Sequence, residues 1–224
     1  MIIRRSIFIL ILLIQASFCL AQLNVKVGYG FAYTPAETNN AMISDFNAQN
    51  AFRLDRDMKD LHFISGLEIG LNYRFENIGF ELSYDNLTTD TDALGEEANG
   101  DIFTDKLFYG LSGYSLAVEN VWGKFGYGVA LGRRTHKVQE RIATTDEKRP
   151  IVQKTVNATK LYAIFQLGGT RSISFQIRPY VNIPWEALDL RSVRTNLDLA
   201  QSTISMEKFV TYGISFAFYN GPQR

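Results

Sequence analysis

Residues Glu207–Tyr219 alternate large apolar side chains with small ones: Val210, Tyr212, Ile214, Phe216 and Phe218 against Thr211, Gly213, Ser215 and Ala217. Side chains along a strand point to opposite faces in turn, so the stretch presents one apolar face and one small or polar face. A strand in a soluble core is apolar on both faces or charged on its wet one. Large-apolar against small over so long a run predicts lipid on one side and the inside of a narrow barrel on the other.

Seven further segments carry the same alternation. Leu23–Tyr33 sets Leu23, Val25, Val27, Tyr29, Phe31 and Tyr33 against Asn24, Lys26, Gly28, Gly30 and Ala32. Leu61–Phe75 sets Leu67, Ile69, Leu71 and Tyr73 against Gly66, Glu68, Asn72 and Arg74, and Ile78–Asp85 continues with Phe80, Leu82 and Tyr84 against Glu81 and Asp85. Lys106–Glu119 changes parity part-way: Tyr114, Leu116 and Val118 face out, while Leu107, Tyr109 and Leu111 fall on the other side. A β-bulge near Gly113, or a later strand start, reconciles its halves. Lys124–Arg134, Thr159–Gly168 and Ser172–Ile183 complete eight strands.

The connections alternate too. Tight turns are expected at Glu76-Asn77, Asn120–Gly123 and Gly168–Arg171, and long outer loops at Thr34–Asp60, Leu87–Asp105, Thr135–Ala158 and Pro184–Met206. Short turns on one rim and long loops on the other predict an all-β, eight-stranded antiparallel up-and-down transmembrane barrel with periplasmic turns. A soluble ligand-binding barrel would carry its charges outside. Here Lys26, Glu68, Arg74, Glu81, Lys124 and Arg178 lie opposite the apolar face.

The first 21 residues read as a secretory signal peptide cleaved after Ala21: Arg4 and Arg5, the apolar Ile7–Ile14, then Cys19-Leu20-Ala21. Removing them takes away Cys19, the only cysteine, and leaves 21 basic against 23 acidic residues in one domain, 22–224. That balance gives no charge-based reason to expect nucleic acid. No later apolar run approaches the ~18 residues of a spanning helix, so a membrane location requires strands.

The mature chain resembles the small bacterial outer-membrane β-barrels, a group that includes the OmpA-type membrane domain and OmpX-like and PorT-like proteins. Thr211, Gly213, Phe216 and Phe218 are similar to the C-terminal assembly signal of such barrels, although Asn220–Arg224 follows as a polar tail. The resemblance implies a bacterial outer-membrane location and reading of that strand by the barrel-assembly machinery. Arg178-Pro179-Tyr180, Ile183-Pro184 and Leu188-Asp189-Leu190 are similar to the seventh strand and last outer loop of PorT-like barrels, which implies a role beside a protein-secretion apparatus.

An eight-stranded interior is just wide enough for side chains to fill. Lys26, Glu68, Arg74, Glu81, Asp85, Lys124 and Arg178 are therefore expected to form a polar network in the lumen, a structural plug rather than a narrow ion path. Pairing about Glu76-Asn77 places Asn72 opposite Glu81 and Glu68 opposite Asp85, and Glu119 is expected to face Lys124. His62 and His136 fall near the outer rim without a catalytic motif, and neither a metal-ligand spacing nor a phosphate loop occurs. No enzyme activity and no cofactor are expected. The segment 87–105 carries Asp90, Asp92, Glu96, Glu97, Asp101 and Asp105, and the segment 133–160 is basic. The two either attract each other or offer lipopolysaccharide phosphates a basic rim and Ca²⁺ or a partner an acidic loop. The function expected is envelope integrity or surface interaction through the outer loops.

Overall fold

The computed structural model describes residues 22–142, 147–169, 173–200 and 205–221. The signal-peptide expectation falls outside them, as does part of the Gly168–Arg171 turn. Eight long strands dominate: β1 (Gln22–Tyr33), β3 (Phe63–Phe75), β4 (Ile78–Glu96), β5 (Ile102–Trp122), β6 (Phe125–Ile142), β7 (Glu147–Gly169), β8 (Ile173–Pro184) and β11 (Thr211–Asn220). Three short strands, β2 (Leu54–Arg56), β9 (Leu188–Asp189) and β10 (Met206–Glu207), and two helices, α1 (Glu37–Asn50) and α2 (Arg191–Asn196), lie in the first and last outer connections.

Each long strand pairs antiparallel with two neighbours, in a ring that runs β4-β3-β1-β11-β8-β7-β6-β5 and returns to β4. Such a ring satisfies backbone polar groups internally, which strands in lipid require. The β1–β11 seam joins small to small on the inner face: Gly28 opposite Ala217, Gly30 opposite Ser215, Ala32 opposite Gly213. Two glycines make room for rings on the neighbouring strand. A Cβ on Gly213 would stand 2.4 Å from Cζ of Tyr180, and one on Gly128 would stand 2.3 Å from Cζ of Tyr162.

The outer face carries an apolar belt. Leu23, Val25, Val27, Ile69, Leu82, Leu116, Val129 and Leu161 are all exposed. Aromatic residues mark its edges: Tyr33 beside Phe63 and Tyr84 beside Tyr114 at the outer rim, Trp122 beside Tyr127 and Phe125 beside Phe165 at the inner one. Eleven residues from Leu23 to Tyr33, tilted as barrel strands are, cover about 25 Å, the height of such a belt. No helix among the described residues is long and apolar enough to cross a membrane.

Above the belt the polarity turns over. On β4 the outward residues pass from Phe80, Leu82 and Tyr84 to Asn86, Thr88 and Asp90, while the inward ones pass from Glu81 and Asp85 to Leu87 and Ala93. On β5 the inward residues pass from Glu119 and Ser115 to Leu111, Tyr109 and Leu107. The pairing of β5 with both neighbours runs through Gly113 without a shift. The expected bulge is therefore absent, and the change of parity marks where the strand leaves the bilayer for water.

Two of the four expected long loops are continuations of strands. β4 and β5 extend to Glu96 and from Ile102, with residues 97–101 between them, and β6 and β7 remain paired out to Ile142 and Glu147. The other two fold inward as a cap. Met42, Ile43 and Phe46 of α1, with Met58 and Leu61 after it, join Leu107, Tyr109, Leu111 and Val138 of the walls. Leu188, Leu190, Val193, Leu197 and Phe209 close the same apolar cluster from the last connection.

Helix α1 has few apolar residues and is held by its surroundings. Its N-cap, Ala36, has φ 44° and gives no side-chain cap. The carboxylate of Glu207, 169 residues on from Thr38, accepts from the N–H groups of Thr38 (2.7 Å) and Asn39 (3.2 Å) and supplies that cap. Asn40 and Asn47 each bond both the N–H and the C=O of a residue in the returning chain, Leu61 and Met58 respectively.

Gly213→Val forces a side chain into the Tyr180 ring and should destabilise the folded barrel by about 1–3 kcal/mol or more. A urea unfolding midpoint in detergent micelles equal to that of the wild type would contradict this packing.

Candidate functional site

The β-pairings fix which side chains are neighbours along the lumen wall. Glu68 lies opposite Asp85 and Asn72 opposite Glu81, the register expected about the Glu76-Asn77 turn. The walls across the barrel then supply the counter-charges. Nζ of Lys26 stands 3.0 Å from Glu68 and 2.9 Å from Glu81. Arg178 reaches Glu81 at 2.9 Å and Glu119 at 2.8 Å, and Arg74 reaches Glu119 at 3.3 Å. Lys160 reaches Glu68 at 3.1 Å. Arg134 grips both oxygens of Asp85. Hydroxyls complete the network: Tyr162 donates to Glu119 (2.8 Å), Tyr219 to Glu81 (2.9 Å) and Ser215 to Glu68 (2.8 Å).

Six of the seven residues expected in this network, Lys26, Glu68, Arg74, Glu81, Asp85 and Arg178, are buried on the inner face. Lys124 is not among them. It sits exposed in the turn between β5 and β6 and forms no ion pair among the described residues. Strand β5 brings Glu119 opposite Gly128 instead, where it receives Asn72, Arg74, Arg178 and Tyr162. Three members escaped the sequence reading. Glu119 is expected opposite Lys124, and Arg134 and Lys160, at the ends of their expected strands, are counted with the basic segment 133–160. Their signal was present in the parity of β6 and β7, on which both face inward with Ala130 and Tyr162. Among the residues of the assembly-signal motif, Thr211 is buried, Gly213 lies under Tyr180, and Phe216 and Phe218 face outward.

Charge on the outer head is distributed differently from a simple acidic loop facing a basic one. Glu97, Asp92 and Asp90 pair with Arg53, Arg56 and Lys106 respectively, the first two cations coming from the first connection. Arg149 pairs with Glu140 and Lys154 with Glu186. Exposed Arg133 and half-buried Lys137 stand just above the belt on β6, with no ion pair among the described residues. A cleft of about 420 Å³ opens at the outer end, lined by Arg53, Asp105, Glu140, Arg141 and Asp198 among others. Burial raises the Asp105 carboxyl against the pull of Arg53, helped by Glu97, Glu140 and Asp198. At the rim, hydrogen bonds from the side chain and backbone of Arg191 lower Asp189 to about 2.

His62 lies half-exposed against the ring of Tyr33, 3.8 Å from Asp60. His136 is buried above the belt against Phe209, with ring centroids 5.6 Å apart. No group of three or more residues able to hold a metal ion occurs among the described residues.

No protein-family model and no curated protein matches the chain. Solved structures similar to it include Ail, the attachment invasion locus protein of Yersinia pestis, in complex with the heparin analogue sucrose octasulfate. It shows 11% identity, a TM-score of 0.45, and coverage of 89% of this chain and 98% of that one. Neisserial surface protein A is similar at 7% identity and a TM-score of 0.47, over 90% and 99% of the two chains. At such identities and scores these likenesses carry no argument about this chain. Its own ring and belt do. The protein is a strand-built barrel with an apolar outer belt.

Two outcomes test the site. Glu119→Ala leaves Arg74 and Arg178 without a shared carboxylate and should cost about 3–5 kcal/mol. Lys124→Ala should stay within about 0.5 kcal/mol. Comparable urea midpoints for the two variants would reverse the assignment. For His136, burial and then Arg134 lower the pKa from 6.5 to about 4. The unfolded chain therefore takes up a proton between pH 6.5 and 4 that the folded chain refuses. This contribution is complete above pH 6.5 and falls by about 3 kcal/mol as pH drops through that window. His136→Leu should flatten that part of the stability profile, and an unchanged difference between pH 7 and pH 4 would remove the role of His136.

Proposed function

We propose that the protein is a non-enzymatic outer-membrane barrel whose lumen is plugged and whose outer head is the working surface, serving envelope integrity or surface interaction. The observation that carries this reading is the stacking of two filled layers inside one ring. Within the belt, the inward carboxylates and cations are paired and buried. Above it, α1 and the last connection pack an apolar cluster across the mouth. A pore needs neither layer, whereas a rigid platform above the lipid needs both.

The outer wall of β6 gives the platform a chemical preference. Arg133 and Lys137 follow Leu131 on the outward face, at the level where lipid headgroups begin. They can meet the phosphates of lipopolysaccharide through charge-assisted hydrogen bonds. The assembly-signal strand, β11, supplies the belt residues Phe216 and Phe218 that the barrel-assembly machinery would read.

In planar bilayers the purified protein should show no stable openings. Sustained openings whose conductance changes in Glu68→Ala or Arg178→Ala would make it a channel instead. Arg133→Glu with Lys137→Glu should weaken binding to lipopolysaccharide micelles several-fold at low salt while leaving the heat-modifiable gel shift intact. Stoichiometric recovery with secretion proteins from membrane extracts would replace the stand-alone reading by a PorT-like accessory role.

A further inference from the structure

Among the described residues the inward charges of the barrel do not cancel. Lys26, Arg74, Arg134, Lys160 and Arg178 face Glu68, Glu81, Asp85 and Glu119, so five cations meet four carboxylates. Asp85 and Arg134 form a closed pair. The others form one alternating chain through the lumen: Lys160, Glu68, Lys26, Glu81, Arg178, Glu119, Arg74. Such a chain begins and ends on a cation, and each end has half the counter-charge of the middle.

The two ends are not equivalent. Lys160 keeps a 12% exposed side chain and lies 4.1 Å over the ring of Tyr180, whose face draws a cation. Arg74, at the periplasmic end, has a side chain only 1% exposed. It shares Glu119 with Arg178, and its Nε–H has no hydrogen-bond partner among the described residues. An unbalanced guanidinium inside a bilayer-spanning ring is costly.

Other unpartnered donors gather at the same end of the inner face. Nδ2 of Asn24 is one, on the residue directly opposite Asn72, which precedes Arg74 by two on its strand. Nε2 of Gln176 and Oγ of Ser174 are others, one strand beyond β11, the neighbour of β1. All three residues are at least 97% buried. Nε2 of Gln176 is securely the nitrogen, because its Oε1 accepts from Nε of Arg178 at 2.9 Å. The acceptors at this end are fewer: Oδ1 of Asn72, Oδ1 of Asn120 and Oε1 of Gln166, the residue opposite Gln176. Donors and positive charge therefore predominate together.

We infer that the periplasmic end of the lumen binds a small monovalent anion of halide size, held by Arg74 with Asn24, Gln176 and Ser174. Water alone would satisfy the donors without offsetting the charge. A multiply charged oxyanion would reverse the imbalance rather than remove it. The site is independent of whether the lumen conducts.

The test uses chloride as the probe. The mature chain is refolded from halide-free urea into detergent, and its unfolding equilibrium is measured in sodium chloride and in sodium gluconate at matched ionic strength. Folding should be favoured in chloride, by about tenfold in the equilibrium constant for each tenfold rise in chloride above its dissociation constant. Arg74→Gln should abolish that dependence, and Lys124→Gln should retain it. Should Arg74→Gln fail to fold, Asn24→Leu serves as the second variant, raising the chloride required by about tenfold or more through loss of one hydrogen bond to a charged group. Bromide-grown crystals should show anomalous density at Nε of Arg74. Equal midpoints in the two salts, or a chloride dependence undiminished in a folded variant, would overturn the site.

Discussion

Everything in this molecule depends on the rule that backbone N–H and C=O groups in hydrocarbon must pair with one another. Eight strands meet the rule by pairing in a ring, and the ring fixes the rest. It turns every second side chain toward lipid and every other one into a space that admits little more than those side chains. Gly28, Gly30 and Ala32 meet Ala217, Ser215 and Gly213 along the seam because that wall must be thin. The room it leaves is taken from other strands, by Tyr180 over Gly213 and Tyr162 over Gly128.

A filled polar lumen in a low-dielectric surround magnifies each charge, so pairing dictates its internal order. Glu68, Glu81 and Glu119 each receive two cations and at least one hydroxyl. The same strands obey the opposite rule a few residues higher. Once Tyr84, Tyr114 and Leu131 are passed, water lies outside, and Leu87, Leu107, Tyr109, Leu111 and Val138 turn inward to build an ordinary apolar core. The membrane-spanning and outer halves are thus two solvents' solutions written on one set of strands. The outer half needs a lid, and α1 provides it, capped by Glu207 from the far end of the chain.

The ring, its eight strands and the inward placement of Lys26, Glu68, Arg74, Glu81, Asp85 and Arg178 were legible because alternation is a local property of sequence. The reading failed where the solvent changed without any local mark. Leu107, Tyr109 and Leu111 read as a bulge near Gly113 or a later strand start when a single polarity rule is applied along the whole strand. Arg134 and Lys160 stand at the ends of their expected strands, where a count of the basic segment 133–160 takes them for outer charges. Lys124 was placed in the lumen by parity alone, but it belongs to a turn, where parity has no meaning. Helix α1 lies within an expected loop, because three apolar residues, Met42, Ile43 and Phe46, are too few to announce a face that only the cap completes.

By itself the sequence determined the class of fold, the number of strands, the lipid-facing surface and the short-turned rim, because each follows from a period of two and from the residues that turns require. The tertiary structure alone decided which carboxylate meets which cation, since those contacts cross the barrel between strands up to 97 residues apart, as in Arg178 on Glu81. It alone decided that the outer mouth is closed by a helix capped from a distant part of the same chain. It also left the buried charge of the lumen uneven at Arg74. Pairing across a lumen depends on strand order, stagger and diameter, and no local pattern in the chain encodes those three together.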